Sequence, residues 1–110
     1  MAGYFHLNSS DTGKFSFSLK AGNHEVILTS QIYANKADAL AGIESVRKNA
    51  PVAARFERKT AKDKSAYFVL LAENGKTLGR SEMYSSTSAM ENGIASVMTN
   101  GASTFVKGLE

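Results

Sequence analysis

The strongest constraint on this chain is that it contains itself twice. Set against itself at an offset of 51, residues 5–54 align without a gap with residues 56–105. Identical pairs are Phe5/Phe56, Phe17/Phe68, Leu19/Leu70, Ala21/Ala72, Asn23/Asn74, Ser30/Ser81, Tyr33/Tyr84, Gly42/Gly93, Ile43/Ile94, Ser45/Ser96, Val46/Val97 and Asn49/Asn100. That is 12 of 50 positions, where unrelated segments of ordinary composition give about three. Ile27/Leu78 and Ile32/Met83 are similar rather than identical. Two copies of this length are too few and too long for a solenoid. They predict one domain over residues 1–108, built from repeats at about 3–54 and 55–107. A pseudo-two-fold should relate them, each half supplying what one subunit of a symmetric dimer would. At 110 residues the chain can bury roughly 65% of its unfolded surface, enough for one core without staples. Leu109-Glu110 reads as a cloning scar and is set aside.

Within each copy the hydrophobic period changes from two to 3.6. Phe15, Phe17 and Leu19 alternate with Ser16, Ser18 and Lys20, as in a half-buried strand. Turn residues follow, and Glu25 to Ser30 reads as the returning strand of a hairpin. Tyr4 to Asn8 forms an earlier strand. The second copy repeats the plan near Arg55–Lys59, Ala66–Leu71 and Thr77–Ser81, with Asn74-Gly75 supplying the positive φ a tight hairpin needs. A helix then starts at Asn35 in one copy and Ser86 in the other, both good N-caps. Their apolar stripes are Ala39, Ile43, Val46 and Met90, Ile94, Val97. Asn49 and Asn100 stand where a left-handed residue would end each helix. A last strand lies near Thr104–Lys107. The order β-β-β-α-β-β-β-α-β predicts an α+β fold, with two helices covering one face of an antiparallel sheet.

The spacing Asn23-x-x-x-Ile27-x-x-Ser30-x-x-Tyr33, followed by Gly42-Ile43-Glu44-Ser45-Val46-x-x-Asn49, resembles the bacterial YegP-like family, tandem-repeat domains of unknown function. The second copy matches through Asn74-Gly75, Ser81-x-x-Tyr84 and Asn92-Gly93-Ile94-Ala95-Ser96-Val97. The similarity spans residues 2–107. His24 and Ala41 depart from the usual Gly and Asn of that repeat. The resemblance implies two β-β-β-α-β repeats in one sheet, with the last strands exchanged between halves. It implies no activity and brings no catalytic or binding residues.

No catalytic spacing is present: no glycine-rich phosphate loop, no nucleophile elbow. There is no cysteine, hence no disulfide framework, no thiolate metal site and no cysteine nucleophile. The two histidines, His6 and His24, fall on different elements with no carboxylates placed to complete a metal site. The expectation is a non-enzymatic protein with no cofactor and no metal. No apolar run approaches a membrane span and no signal peptide is visible, so a cytoplasmic location without membrane contact is expected. The repeated Ser, Tyr and Asn residues read as local structural devices. The mid-helix Gly42 and Gly93 read as points of close approach to the sheet or the other helix.

Two features point outward. Residues 47–64 carry Arg47, Lys48, Arg55, Arg58, Lys59, Lys62 and Lys64 against Glu57 and Asp63, a local net of +5 in a chain of net +3. Such a segment suits anion or weak sequence-nonspecific nucleic-acid contact, or serves as a solvated surface. The second feature is an asymmetry. Ser16, Ser18 and Lys20 should face away from the helices, and their counterparts are Tyr67, Val69 and Leu71. The second half then presents an apolar patch where the first is polar, the signature of a partner or self-association surface. A protein-interaction module is the leading expectation, a nucleic-acid binder the alternative, an enzyme the third.

Overall fold

The structure, a computed structural model, describes residues 3–108; Leu109-Glu110 lie outside them. The elements are β1 (Tyr4–Ser9), β2 (Phe15–Lys20), β3 (Val26–Ser30), α1 (Lys36–Asn49), a 3-10 turn (Ala53–Arg55), β4 (Phe56–Thr60), β5 (Ala66–Leu71), β6 (Thr77–Arg80), α2 (Thr87–Asn100) and β7 (Val106–Lys107). The order is the one read from the sequence. The seven strands form one sheet, β4-β5-β6-β3-β2-β1-β7. Its pairs are antiparallel except at one edge, where β7 runs parallel to β1. The sheet is therefore mixed, because the chain leaving α2 crosses to the first half and arrives in the direction of β1.

The caps form as expected. The Asn35 side chain accepts the Asp38 N–H at 2.8 Å, and Ser86 accepts that of Ala89 at 3.0 Å. The helix ends differ from the expectation. Asn49 and Asn100 remain helical, and the caps Ala50 (φ −57°) and Gly101 (φ −65°) are right-handed. Each asparagine instead donates from Nδ2 to the carbonyl one turn back, Ser45 or Ser96, at 2.8 Å. Its Oδ1 then holds the entry to an outer strand: Asn49 accepts Arg55 Nε at 3.0 Å before β4, and Asn100 accepts the Gly3 N–H at 2.9 Å before β1.

The pseudo-two-fold is explicit. Thr29 pairs directly with its own equivalent, Arg80, where β3 meets β6. The helix ends meet at another equivalent pair, since a Cβ on Gly101 would fall on Ala50. The axis runs through both points. Near it the symmetry breaks: Leu28 fills the space beside Gly79, its own counterpart, where a built Cβ would stand 2.8 Å from the leucine Cγ. Matching β-bulges lie at Leu19/Lys20 and Leu70/Leu71. They leave Ile27 and Leu28 both facing the core. Phe5, Phe17, Leu19, Phe68 and Leu70 are fully buried beneath Ile43, Val46, Ile94 and Val97.

The positive-φ turn positions also form equivalent pairs. Gly13 (φ 79°) corresponds to Lys64 (φ 72°), and His24 (φ 70°) to Gly75 (φ 85°). In each pair one copy has a glycine and the other a residue under backbone strain. His24 gains a partner in return: its Nδ1 lies 2.9 Å from the Tyr4 hydroxyl.

Candidate functional site

Most repeated polar residues have structural partners. Ser30 Oγ accepts the Phe17 N–H at 2.8 Å and donates to the Gln31 carbonyl at 2.7 Å; Ser81 does the same for Phe68 (3.0 Å) and Glu82 (2.8 Å). Asn23 and Asn74 close their turns through Glu25 N–H and Lys76 N–H. The helix glycines make room for tyrosines. A Cβ on Gly42 would sit 2.8 Å from Tyr33 Cζ, and one on Gly93 2.7 Å from Tyr84 Cζ. The expected close approach is thus a ring standing on a helix, not backbone against sheet or helix. The rings stack on Phe17 and Phe68 at 6.1 and 6.3 Å between centroids.

These tyrosines head two grooves, one of about 350 Å³ and one of about 210 Å³, each between a helix and the hairpin of the other repeat. Every residue lining one is the 51-residue equivalent of a residue lining the other. Tyr, Gly, Ser, Asn and Ala are kept in both, while the charges diverge. Lys76 and Gln31 beside Tyr33 become Glu25 and Glu82 beside Tyr84. Burial pushes both hydroxyls up in pKa, with Asp38 adding to the effect on Tyr33, and Glu82 and Glu25 to that on Tyr84.

The basic segment does not form one free patch. Arg47 donates to the Ser103 carbonyl at 2.6 Å, pairs with Glu44 and lies 5.5 Å above the Phe5 ring. Arg55 is held by Asn49. Arg58 makes a two-pronged contact with Glu91 on α2, at 2.5 and 2.9 Å. These charge-assisted hydrogen bonds hold the Glu91 carboxyl below the usual carboxylate range. Lys59 pairs with Glu57 at 3.0 Å. Lys48, Lys62 and Lys64 have no ion-pair partner among the described residues. Sequence proximity gathered these cations; helix, edge strand and turn disperse them.

The face turned away from the helices is the remaining candidate. Strand alternation places Tyr67, Val69 and Leu71 there, opposite the buried Phe68 and Leu70. Val69 lies between Glu57 on β4 and Arg80 on β6, and only 6% of it is exposed. Tyr67 and Leu71 are half-buried. The expected patch is therefore partly roofed by charged neighbours. What remains is a shallow groove of about 410 Å³ along this end of the sheet, lined by Tyr67, Val69, Thr77 and Thr29 with Glu57, Lys59, Arg80 and Gln31 around them. In the first half the matching position, Ser18, lies between His6 and Thr29. Arg80 was not singled out from the sequence, because only pairing with β3 and β5 shows which way it points. By the same alternation the open-face strand residues carry Lys20, Lys59, Arg80 and Lys107 against Glu57 alone.

His6 is half-buried on β1 and His24 is engaged by Tyr4. Among the described residues no group of three or more His, Cys, Asp or Glu gathers as a metal site, and no helix is long and apolar enough to cross a membrane.

Known proteins match along nearly the whole chain. A UPF0339 protein of Bordetella pertussis is 59% identical over 91% of this chain and 89% of its own length. The UPF0339 protein YegP of Escherichia coli K12 is 50% identical over 97% of each. The solution NMR structure of a UPF0339 protein from Shewanella oneidensis superposes with a TM-score of 0.91 at 50% identity, covering 97% of this chain and 91% of the other. That of E. coli yegP, a protein of unknown function, gives 0.91 over 97% and 92%. The DUF1508 family, described as a domain of unknown function, matches twice, over residues 10–57 and 61–107, and with both repeats thus accounted for the chain belongs to that family.

Proposed function

We propose that this protein is a non-enzymatic interaction module that docks a protein partner on the open sheet face, at the end formed by β4, β5 and β6. One observation carries this reading: the two halves diverge there more than their shared core requires. Ser16, Ser18 and Lys20 of one half stand where the other has Tyr67, Val69 and Leu71. The groove beside Tyr67 combines an aromatic ring, a covered apolar floor and both signs of charge. That mixture suits protein surfaces, where aromatic residues and arginine dominate contacts.

A photo-reactive phenylalanine analogue at Tyr67, with the equivalent Ser16 as matched control, tests the reading in cells. A discrete crosslinked species from position 67 and none from 16 is expected. Equal labelling at both, or none at 67, overturns it.

A further inference from the structure

Resting on that reading of the β4–β6 end, we propose that the partner's contact is an acidic extended segment that joins the sheet as an eighth strand along β4.

The backbone of β4 is set for it. The Ser81 N–H donates to the Phe68 carbonyl at 2.9 Å, and the Phe68 N–H donates to Ser81 Oγ, so Phe68 addresses β6. Alternation then turns Tyr67 and Val69 toward β4, opposite Lys59 and Glu57. The backbone groups of Arg58 and Thr60 point the other way, into solvent, along the edge that ends the sheet. The molecule uses this mode at its other edge. There β7, two residues long, pairs with β1, the Phe5 N–H donating to the Phe105 carbonyl at 3.0 Å. It is clamped by Lys107 above the Tyr4 ring at 4.8 Å and by Phe105 beside it at 5.9 Å. At β4 the residue matching Tyr4 is Arg55. A second β7-like segment would find no aromatic seat there.

Charge selects the occupant. From Arg55 to Lys64 the chain carries five cations against Glu57 and Asp63; Glu91 pairs with Arg58, Arg80 adds another cation beside the groove, and the edge stays net positive with Lys62 and Lys64 unpaired among the described residues. A bare edge charged in this way repels a second copy of itself, which blunts self-association. The same charge attracts a strand bearing carboxylates. Main-chain hydrogen bonds would then hold the segment, and alternate side chains would reach Lys59 on the open face or the Arg58–Glu91 pair on the helix face.

The test uses the full chain and a blocked peptide of alternating threonine and glutamate, about eight residues long, followed by amide NMR and hydrogen exchange. New protection of the Arg58 and Thr60 amides is expected, lost at high salt, with no binding of the threonine–lysine counterpart. Thr60→Pro removes an outward N–H that no intramolecular strand uses and should abolish binding. Lys59→Glu keeps every N–H and should weaken binding by about tenfold. Peptide-induced shifts confined to Tyr67 and Val69, without edge protection, overturn the eighth strand but leave the open-face module standing. Equal binding of both peptides overturns the acidic preference. Tighter binding of a single-stranded oligonucleotide at the same residues assigns the surface to nucleic acid and overturns the proposal. No perturbation by the acidic peptide at any concentration overturns it as well, and the crosslinking at position 67 then decides the module separately.

Discussion

β1 and β4 are one strand in two settings. Tyr4-Phe5-His6-Leu7-Asn8-Ser9 stands against Arg55-Phe56-Glu57-Arg58-Lys59-Thr60. Both lie outermost in their repeat, and both are tied to a helix end by an asparagine. The phenylalanine is buried in each. Everything else has diverged. β1 contains no Lys, Arg, Asp or Glu and is covered by β7, and its Leu7 is in the core against which Leu40 packs. β4 has no outer partner strand among the described residues, four of its five residues are exposed, and Leu7 and Leu40 have become Arg58 and Glu91. An unpaired edge can be protected by covering it or by charging it. This molecule does one in each half. The duplicated core fixes the sheet, and the edges are where the halves were free to take different roles.

The core should treat the halves alike, which gives the largest effect. Phe17→Ala and Phe68→Ala each delete a fully buried ring in an equivalent place, and each should cost about 3–5 kcal/mol. Denaturant titrations in which one substitution costs less than half the other would break the equivalence. The glycines come next. Gly42→Ala and Gly93→Ala gain about 1 kcal/mol of helix propensity yet must displace a tyrosine ring. A net loss of about 1–3 kcal/mol is expected, smaller once Tyr33 or Tyr84 is also replaced by leucine. Thermal melts showing stabilisation by the single substitutions would mean the rings move freely.

Much of this was legible in the sequence, and for a physical reason. Duplication doubles every weak signal, so the strands, the caps Asn35 and Ser86, and the phenylalanine ladder stand out in both copies. What was missed depends on long-range pairing. The fate of Val69 is set by Glu57 and Arg80, twelve and eleven residues away on different strands. The pairing of Arg58 is set by Glu91 on a helix far along the chain. Likewise the tyrosine seated on each helix glycine is invisible to periodicity, since the ring arrives from the strand-to-helix connection.

The open face gives an intermediate effect. Val69→Ser should cost about 1.5 kcal/mol, because the side chain is covered. Ser18→Val, its mirror substitution, should stay within about 0.5 kcal/mol of neutral. Equal costs in urea titrations would mean the two halves of that face are packed alike after all. Among the turns, Lys64→Gly should stabilise by about 1 kcal/mol by relieving a left-handed backbone. His24→Gly, at the other strained turn position, should gain less, because it also deletes the contact with Tyr4. Melting temperatures that rise more for His24→Gly would remove any role for that contact.

The smallest effect lies at the edge itself. Glu91 is half-exposed, and its carboxyl is held below the usual range by the Arg58 hydrogen bonds. A carboxyl whose folded pKa is depressed stabilises the fold above its unfolded value, near about 4.3 for Glu. That contribution fades as pH falls through the lower, folded value. Solvent screening keeps it small. Glu91→Gln should therefore flatten the acid limb of the melting curve slightly between about pH 5 and pH 3 and leave neutral pH almost unchanged. The first half offers the sharper comparison, since Leu7 and Leu40 occupy the same two places without charge. Arg58→Leu combined with Glu91→Leu should copy that arrangement, removing the acid sensitivity at this site while keeping the fold. It should also put two leucines beside the open edge, with Lys59 retained, so the double variant should aggregate at concentrations where the parent does not. An acid limb unchanged by Glu91→Gln would show that the ion pair contributes nothing. A double variant as soluble as the parent would show that charge at Arg58 is not what guards β4.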